Sequence, residues 1–188
     1  MQNFSYKKRD IYSLIPLAQS GDNKALEAII RKVQKQVYAI FSHLTGKKDD
    51  ISDLTQEALL KMAKKLPQLK NIKSFKTWLN QIITNVYYDF IRKNPNKFVE
   101  LSEDDFIEIK DKLGCEPGEK CLVAEVEKLI RSAIFTLPKN LRITLVLREY
   151  EGLTYEEIAK ITNTAIGTVK SRISRARLKL QQELKEFI

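Results

Sequence analysis

The sequence predicts an all-α chain of two small helical domains joined by an acidic linker, the second domain a helix-turn-helix of winged-helix-like outline without strands. Three observations predict this class. Apolar residues recur three and four apart along most of the 188 residues, alternating strand-like patterns are scarce, and charge is segregated along the chain. Residues 1–98 hold 18 Lys and Arg against 8 Asp and Glu, a net of +10. Residues 99–127 hold 3 against 10, a net of −7, and residues 128–188 hold 12 against 6, a net of +6. Two basic blocks flank an acidic connector, which suggests domains at 1–96 and 124–188 with a linker at 97–123.

In the first block, Ile11, Leu14, Ile15 and Ala18 make a short helix that stops near Gly21. Asp22 can cap the next, whose stripe of Leu26, Ile29, Ile30, Val33, Val37, Ile40, Phe41 and Leu44 ends at Gly46. After the charged residues 47–50, a third helix is expected from about Ser52 to Lys65, where Pro67 breaks the pattern. A fourth runs from about Ser74 to Lys93 and stops at Asn94-Pro95. Residues 96–122 show no sustained period. Their acids, with Gly114, Pro117 and Gly118, read as a linker holding at most a short helical turn at residues 106–109. Helical pattern returns at residues 124–137 and, after Pro138, at residues 140–150, which Gly152 ends.

Composition excludes several classes. No run of about 18 apolar residues is present, so no segment reads as a membrane span. Lys7, Lys8 and Arg9 are followed by Asp10, Tyr12 and Ser13 rather than an apolar stretch, so the start does not read as a signal peptide, and a cytoplasmic protein is expected. Cys115 and Cys121 have five residues between them, and the single histidine, His43, is remote in sequence. A zinc site would need further ligands, so no metal and no cofactor are expected. Two free thiols are the plain reading, and a redox-sensing pair the alternative. The net charge of +9 biases the chain toward polyanions. A membrane surface would satisfy that bias as well as nucleic acid, so the arrangement of the charges has to decide.

The last third decides it. Tyr155, Ile158, Ala159 and Ile161 form the apolar side of one helix, and residues 162–166 form a turn in which Thr164 can cap the longer helix that comes next. There Val169, Ile173, Ala176 and Leu180 recur at intervals of four, three and four, while Thr168, Arg172, Arg175 and Lys179 recur at the same intervals on another side, with Lys170 and Arg177 widening the basic side. A lone basic helix is usually only a solvated surface. A helix preceded by a second helix and a short turn, burying one edge and presenting cations on another, fits the major groove of duplex DNA. Residues 165–172 should lie deepest, with Arg175, Arg177 and Lys179 on phosphates, which position without specifying.

These residues resemble a known family. Gly152-Leu153-Thr154-Tyr155-Glu156-Glu157-Ile158-Ala159, then Gly167-Thr168-Val169-Lys170-Ser171-Arg172-Ile173 and Arg175-Ala176-Arg177, are similar to the −35-binding domain of extracytoplasmic-function sigma factors, and Leu137-Pro138 is similar to its opening. Asp53-Leu54-Thr55-Gln56-Glu57 resembles the motif by which such factors bind the clamp of RNA polymerase. Phe75-Lys76-Thr77-Trp78-Leu79 with Asn85, Asp89, Arg92 and Lys93 resembles the −10-recognition helix, and Gly21-Asp22 with Ala25 fits the family's start. The three motifs come in the family's order and cover nearly the whole chain. Two departures are Leu59 where Phe is frequent and Ala165 where Pro is common; the latter bears on base preference.

The resemblance implies roles. Asp53, Leu54, Gln56 and Glu57 would bind the β-prime clamp of core RNA polymerase, whose β flap is a further implied partner of the chain. Lys76, Asn80, Thr84, Asn85, Tyr88, Arg92 and Lys93 would meet −10 DNA, helped by the loop at residues 67–73, which would capture a flipped base. Ala165, Gly167, Thr168, Lys170, Ser171, Arg172, Arg175, Arg177 and Lys179, within a helix-turn-helix from Tyr155 to Ser174, would meet −35 DNA. Trp78 reads as core or as a base platform. The acidic linker would thread a polymerase channel, and an anti-sigma factor is an implied partner. Promoter DNA is the ligand, with no small-molecule substrate and no catalysis. A stand-alone DNA-binding regulator and a nucleic-acid enzyme are the rivals; the second lacks a phosphate-cradling glycine loop and a carboxylate cluster.

Overall fold

The computed structural model describes residues 3–94 and 119–185, and among them all regular structure is helical. The helices are α1 (Asn3–Lys8), α2 (Ile11–Gln19), α3 (Asn23–Leu44), α4 (Lys48–Lys65), α5 (Phe75–Lys93), α6 (Glu119–Thr136), α7 (Lys139–Glu149), α8 (Tyr155–Thr162) and α9 (Ile166–Lys185). The chain divides into two compact units, Met1–Phe90 and Ile91–Ile188. The Pro95 stop, the expected turn at residues 106–109, Cys115 and most of the acidic linker lie outside the described residues, as does the side chain of Cys121.

The N-terminal unit is organised by α3. Asp22 caps it, accepting from the backbone N–H of Lys24 at 2.9 Å and of Ala25 at 3.1 Å. The same carboxylate accepts from the Tyr6 hydroxyl at 2.8 Å, which ties down α1, a helix the sequence pattern did not indicate. These donors, the Tyr6 hydroxyl foremost, hold the Asp22 carboxyl below its ordinary value. Along α3, Ala25, Ile29, Val33, Val37, Ile40, Phe41 and Leu44 are buried, packed against Leu14 and Ile15 of α2 and against α4. Leu26 and Ile30, expected in that stripe, sit half-buried at its margin.

α4 begins at Lys48, four residues before the expected Ser52, because Asp49 and Asp50 fall in its first turn, where the exposed amide ends favour carboxylates. Pro67 does not interrupt the chain sharply. It sits in a 3-10 turn, Leu66–Gln68, and the Gln19 side-chain amide donates to the carbonyls of Leu66 at 3.0 Å and Leu69 at 2.8 Å. That stitch fixes the connection into α5.

In the C-terminal unit Ile134, Leu137, Leu145 and Ala176 form a core, with Ile130, Leu141 and Leu180 packed around it, so α6, α7 and α9 share one apolar centre. α6 starts at Glu119, inside the stretch expected to be linker. The Arg142 guanidinium, only 9% exposed, donates to the carbonyls of Phe135 and Leu137, satisfying the end of α6 with a cation. Gly152, at φ +63°, turns the chain between α7 and α8 in a conformation that disfavours a Cβ. α8 opens with a capping box: Thr154 Oγ1 accepts from the Glu157 N–H at 3.2 Å, and the Glu157 carboxylate accepts from the Thr154 N–H at 2.9 Å. It closes on Asn163 at φ +50°, a left-handed cap that asparagine tolerates. The expectation that Thr164 caps α9 is corrected: α9 starts at Ile166, so Thr164 stands one residue too early, and its hydroxyl bonds that of Thr162 at 2.9 Å.

The capping box positions the helix that supports α9. Thr154→Ala should therefore lower unfolding free energy by about 1 kcal/mol, and Thr154→Ser should retain most of it, measured by urea denaturation.

Candidate nucleic-acid interface

The burial of α9 sorts its surface into arcs. Val169, Ile173 and Ala176 are buried and Leu180 is half-buried, so this stripe faces α6, α7 and α8. At about 100° per residue, Thr168, Arg172, Arg175 and Lys179 form one flank. Gly167, Ser171, Ser174 and Leu178 lie opposite the core, and all four are exposed. Lys170 and Arg177 fall on the second flank, so they do not widen the basic side of Arg175 as expected. Arg177 there pairs with Glu149 of α7 at 2.6 Å, an exposed bridge that a phosphate would have to displace. Ala165 and Ile166, in the turn and first helical position, are exposed as well, and Ile166 falls on the flank of Lys170 and Arg177.

α5 buries more than half its circumference. Besides Phe75, Leu79, Ile82, Ile83 and Val86, the buried set includes Asn80 and Thr84, both 0% exposed, and Tyr87. Asn80 Nδ2 donates to the Lys76 carbonyl at 3.1 Å. The expectation that Asn80 and Thr84 meet DNA is therefore corrected: both face the interior in this fold. What remains outward is Gln81, Asn85, Tyr88 and Arg92, spaced four, three and four apart on one strip, with Tyr88 half-buried and the others exposed. Gln81 was missed, although its place four residues before Asn85 marks it. Lys76 and Lys93 are exposed, but Lys76 lies well round the helix from this strip. Trp78 is half-buried, its ring 5.7 Å from that of Phe75.

On α4, Asp53 and Gln56 are exposed and Glu57 is half-buried, whereas Leu54 is 3% exposed. Leu54 is thus corrected from a candidate contact to a core residue that anchors the edge its neighbours form. Asp53 stands beyond the first turn of α4, so its carboxylate gains little from the helix end. Lys61 bridges Glu57 at 2.7 Å and Asp89 of α5 at 3.4 Å, and this pairing, Glu57 first, raises its ammonium above the ordinary lysine value. Beside Gln56 an open apolar groove of about 410 Å³ is lined by Ile30, Tyr38, Leu59, Leu60 and Ala63. Tyr38 and Leu60 are exposed there at 39% and 55%, an apolar surface outside the expected motif. Among the described residues no group of three or more His, Cys, Asp or Glu converges as a metal site, and no helix is long and apolar enough to cross a membrane.

Comparison with known proteins agrees with this layout. Residues 29–96 match the family model of Sigma-70 region 2, and residues 127–180 match that of Sigma-70, region 4. The chain is 32% identical to the ECF RNA polymerase sigma-E factor of Escherichia coli K12 over 181 residues, covering 93% of this chain and 94% of that protein. The chain belongs to the extracytoplasmic-function sigma factors. It is also 30% identical to the RNA polymerase sigma-H factor of Pseudomonas aeruginosa, over 93% of this chain and 94% of that one. The solved sigma factor RpoE of Bartonella quintana, in complex with the anti-sigma factor NepR, superposes with a TM-score of 0.65 at 28% identity, covering 86% of this chain and 98% of that one. This sigma factor directs promoter-specific transcription initiation, working with core RNA polymerase on promoter DNA.

The inward placement of Asn80 separates stability from contact. Asn80→Ala should cost about 1 kcal/mol of stability and leave the salt dependence of promoter binding by the holoenzyme unchanged. Arg92→Ala should flatten the log–log salt slope by about one. Equal slopes for Arg92→Ala and wild type would remove Arg92 from the phosphate contacts.

Proposed function

We propose that this sigma factor reads its promoter with two separate helices, α9 at the −35 element and α5 at the −10 element, while the exposed edge of α4 docks on the β-prime clamp of core polymerase. The observation that supports this best is the division of labour within α9: its buried stripe is continuous, and every residue opposite that stripe from Gly167 to Leu178 is exposed. Arg175 and Lys179 on the adjoining flank suit phosphates, while Lys170 and Arg172, nearer the start of the helix, would reach base edges. On α5, the strip of Gln81, Asn85, Tyr88 and Arg92 combines amides, a ring and a cation, which suits unstacked single-stranded bases. Flipping a base costs a few kcal/mol, and the loop at residues 67–73 would share in offsetting it.

Asp53, Gln56 and Glu57 supply the polar half of the polymerase contact, and the groove of Tyr38, Leu59 and Leu60 beside them supplies apolar area. The N-terminal domain spans residues 1–96 and the C-terminal domain begins with α6 at Glu119, the latter domain also meeting the β flap. The acidic linker, which ends where α6 begins at Glu119, occupies a polymerase channel built for nucleic acid. The protein has no catalysis of its own and works in the cytoplasm. An anti-sigma factor restrains it, as NepR is bound to the Bartonella quintana sigma factor.

Asp53→Ala combined with Gln56→Ala should cut co-purification with core polymerase at least tenfold while the far-ultraviolet circular dichroism stays unchanged. Intact co-purification would sink the assignment of the α4 edge. Arg175→Ala should keep core binding and lower transcription from a −35-dependent promoter. A stand-alone regulator would instead bind promoter duplex tightly without core enzyme, and wild-type protein is expected not to.

A further inference from the structure

Ile166 is the exception among the aliphatic residues of α9 that precede Ala176. Val169 and Ile173 are buried at 0% and 2%, yet Ile166 is 40% exposed at the very start of the helix. Its neighbour Gly167 has no structural reason to be glycine. Its φ is not left-handed, and a Cβ built there meets nothing within 4 Å. Glycine within a helix is less favourable than alanine by up to about 1 kcal/mol, so the free protein would gain from a methyl group at this position.

An exposed isoleucine beside a glycine that the fold does not require points to a surface completed by something outside the protein. We infer that Ile166 is a specificity residue that reads the C5-methyl group of a thymine in the major groove, with Gly167 leaving the space that lets the helix start approach the base pair. This rests on the reading of α9 as the −35 helix. The chemistry favours thymine: in the major groove the methyl is the apolar feature distinguishing that base, and aliphatic side chains recognise it by contact. A charged or amide side chain at position 166 would select donors and acceptors instead. Covering one methyl group is worth about a fourfold change in affinity.

The test uses holoenzyme assembled from core polymerase and the full chain, on a promoter selected from a randomised −35 library. Each −35 thymine is replaced singly by deoxyuridine, which removes only the methyl group. At one position the replacement should weaken wild-type binding about fourfold and have no effect on Ile166→Ala holoenzyme, whose own selected element should lose its thymine preference at that position. Gly167→Ala should bind the promoter more weakly while its melting temperature equals or exceeds that of wild type, a combination that a merely structural glycine would not give. A selected element without a thymine, a deoxyuridine effect that persists in Ile166→Ala, or full promoter binding by Gly167→Ala would overturn the inference. If binding proves indifferent to the whole −35 element, the reading of α9 fails instead, and the two failures are told apart by that control.

Discussion

A helix of 3.6 residues per turn can bury only part of its circumference, and in this protein that division decides which side chains are free to meet a partner. α9 buries Val169, Ile173 and Ala176, the last of them in a shared core with Ile134, Leu137 and Leu145, and this fixes what its other residues can do. Arg175 and Lys179 project because the residues beside them are held inside. α5 makes a more costly division, burying Asn80, Thr84 and Tyr87 along with its aliphatic residues. A narrower outward strip is left, made of Gln81, Asn85, Tyr88 and Arg92.

The supports around these helices are local and polar. Arg142 closes the end of α6, the Thr154–Glu157 capping box opens α8, and Asn163 ends it in a left-handed turn. On the other unit, Asp22 and Gln19 do the equivalent work for α3 and for the turn into α5. Each satisfies backbone groups that would otherwise be unpaired at a helix end. Lys61 stands apart from these, since it links Glu57 on α4 to Asp89 on α5. Partly exposed bridges of this kind contribute little stability, so its place is better described as an alignment between two surfaces.

Much of this was legible in the sequence. The helix order, the Asp22 cap, the stripe of α9 and the family motifs all depend on residue spacing, which the sequence states directly. What escaped it depends on the width of a buried arc. Asn80 and Thr84 are polar, so pattern alone assigns them outward, and only the broad packing of α5 draws them in. Leu54 was read as part of a contact motif although it lies on the apolar side of α4. The early start of α4 was hidden because Asp49 and Asp50, which read as loop residues, favour a helix end. Ile166 was read only as the last residue of the turn, within the stretch expected to lie deepest, and its exposure is what separates it from Val169. The groove at Tyr38 and Leu60 joins two helices that are adjacent in space, which no single stretch of sequence displays.

On the proposed reading, neither α5 nor α9 acts alone, and promoter recognition requires core polymerase to hold both. In vitro transcription with core enzyme over a randomised promoter library tests it most directly. The expected result is protein-dependent enrichment of paired −35 and −10 elements at a fixed spacing, with no tight duplex binding when core polymerase is left out. Tight, sequence-specific duplex binding by the chain alone, or transcripts that share no paired elements, would contradict it.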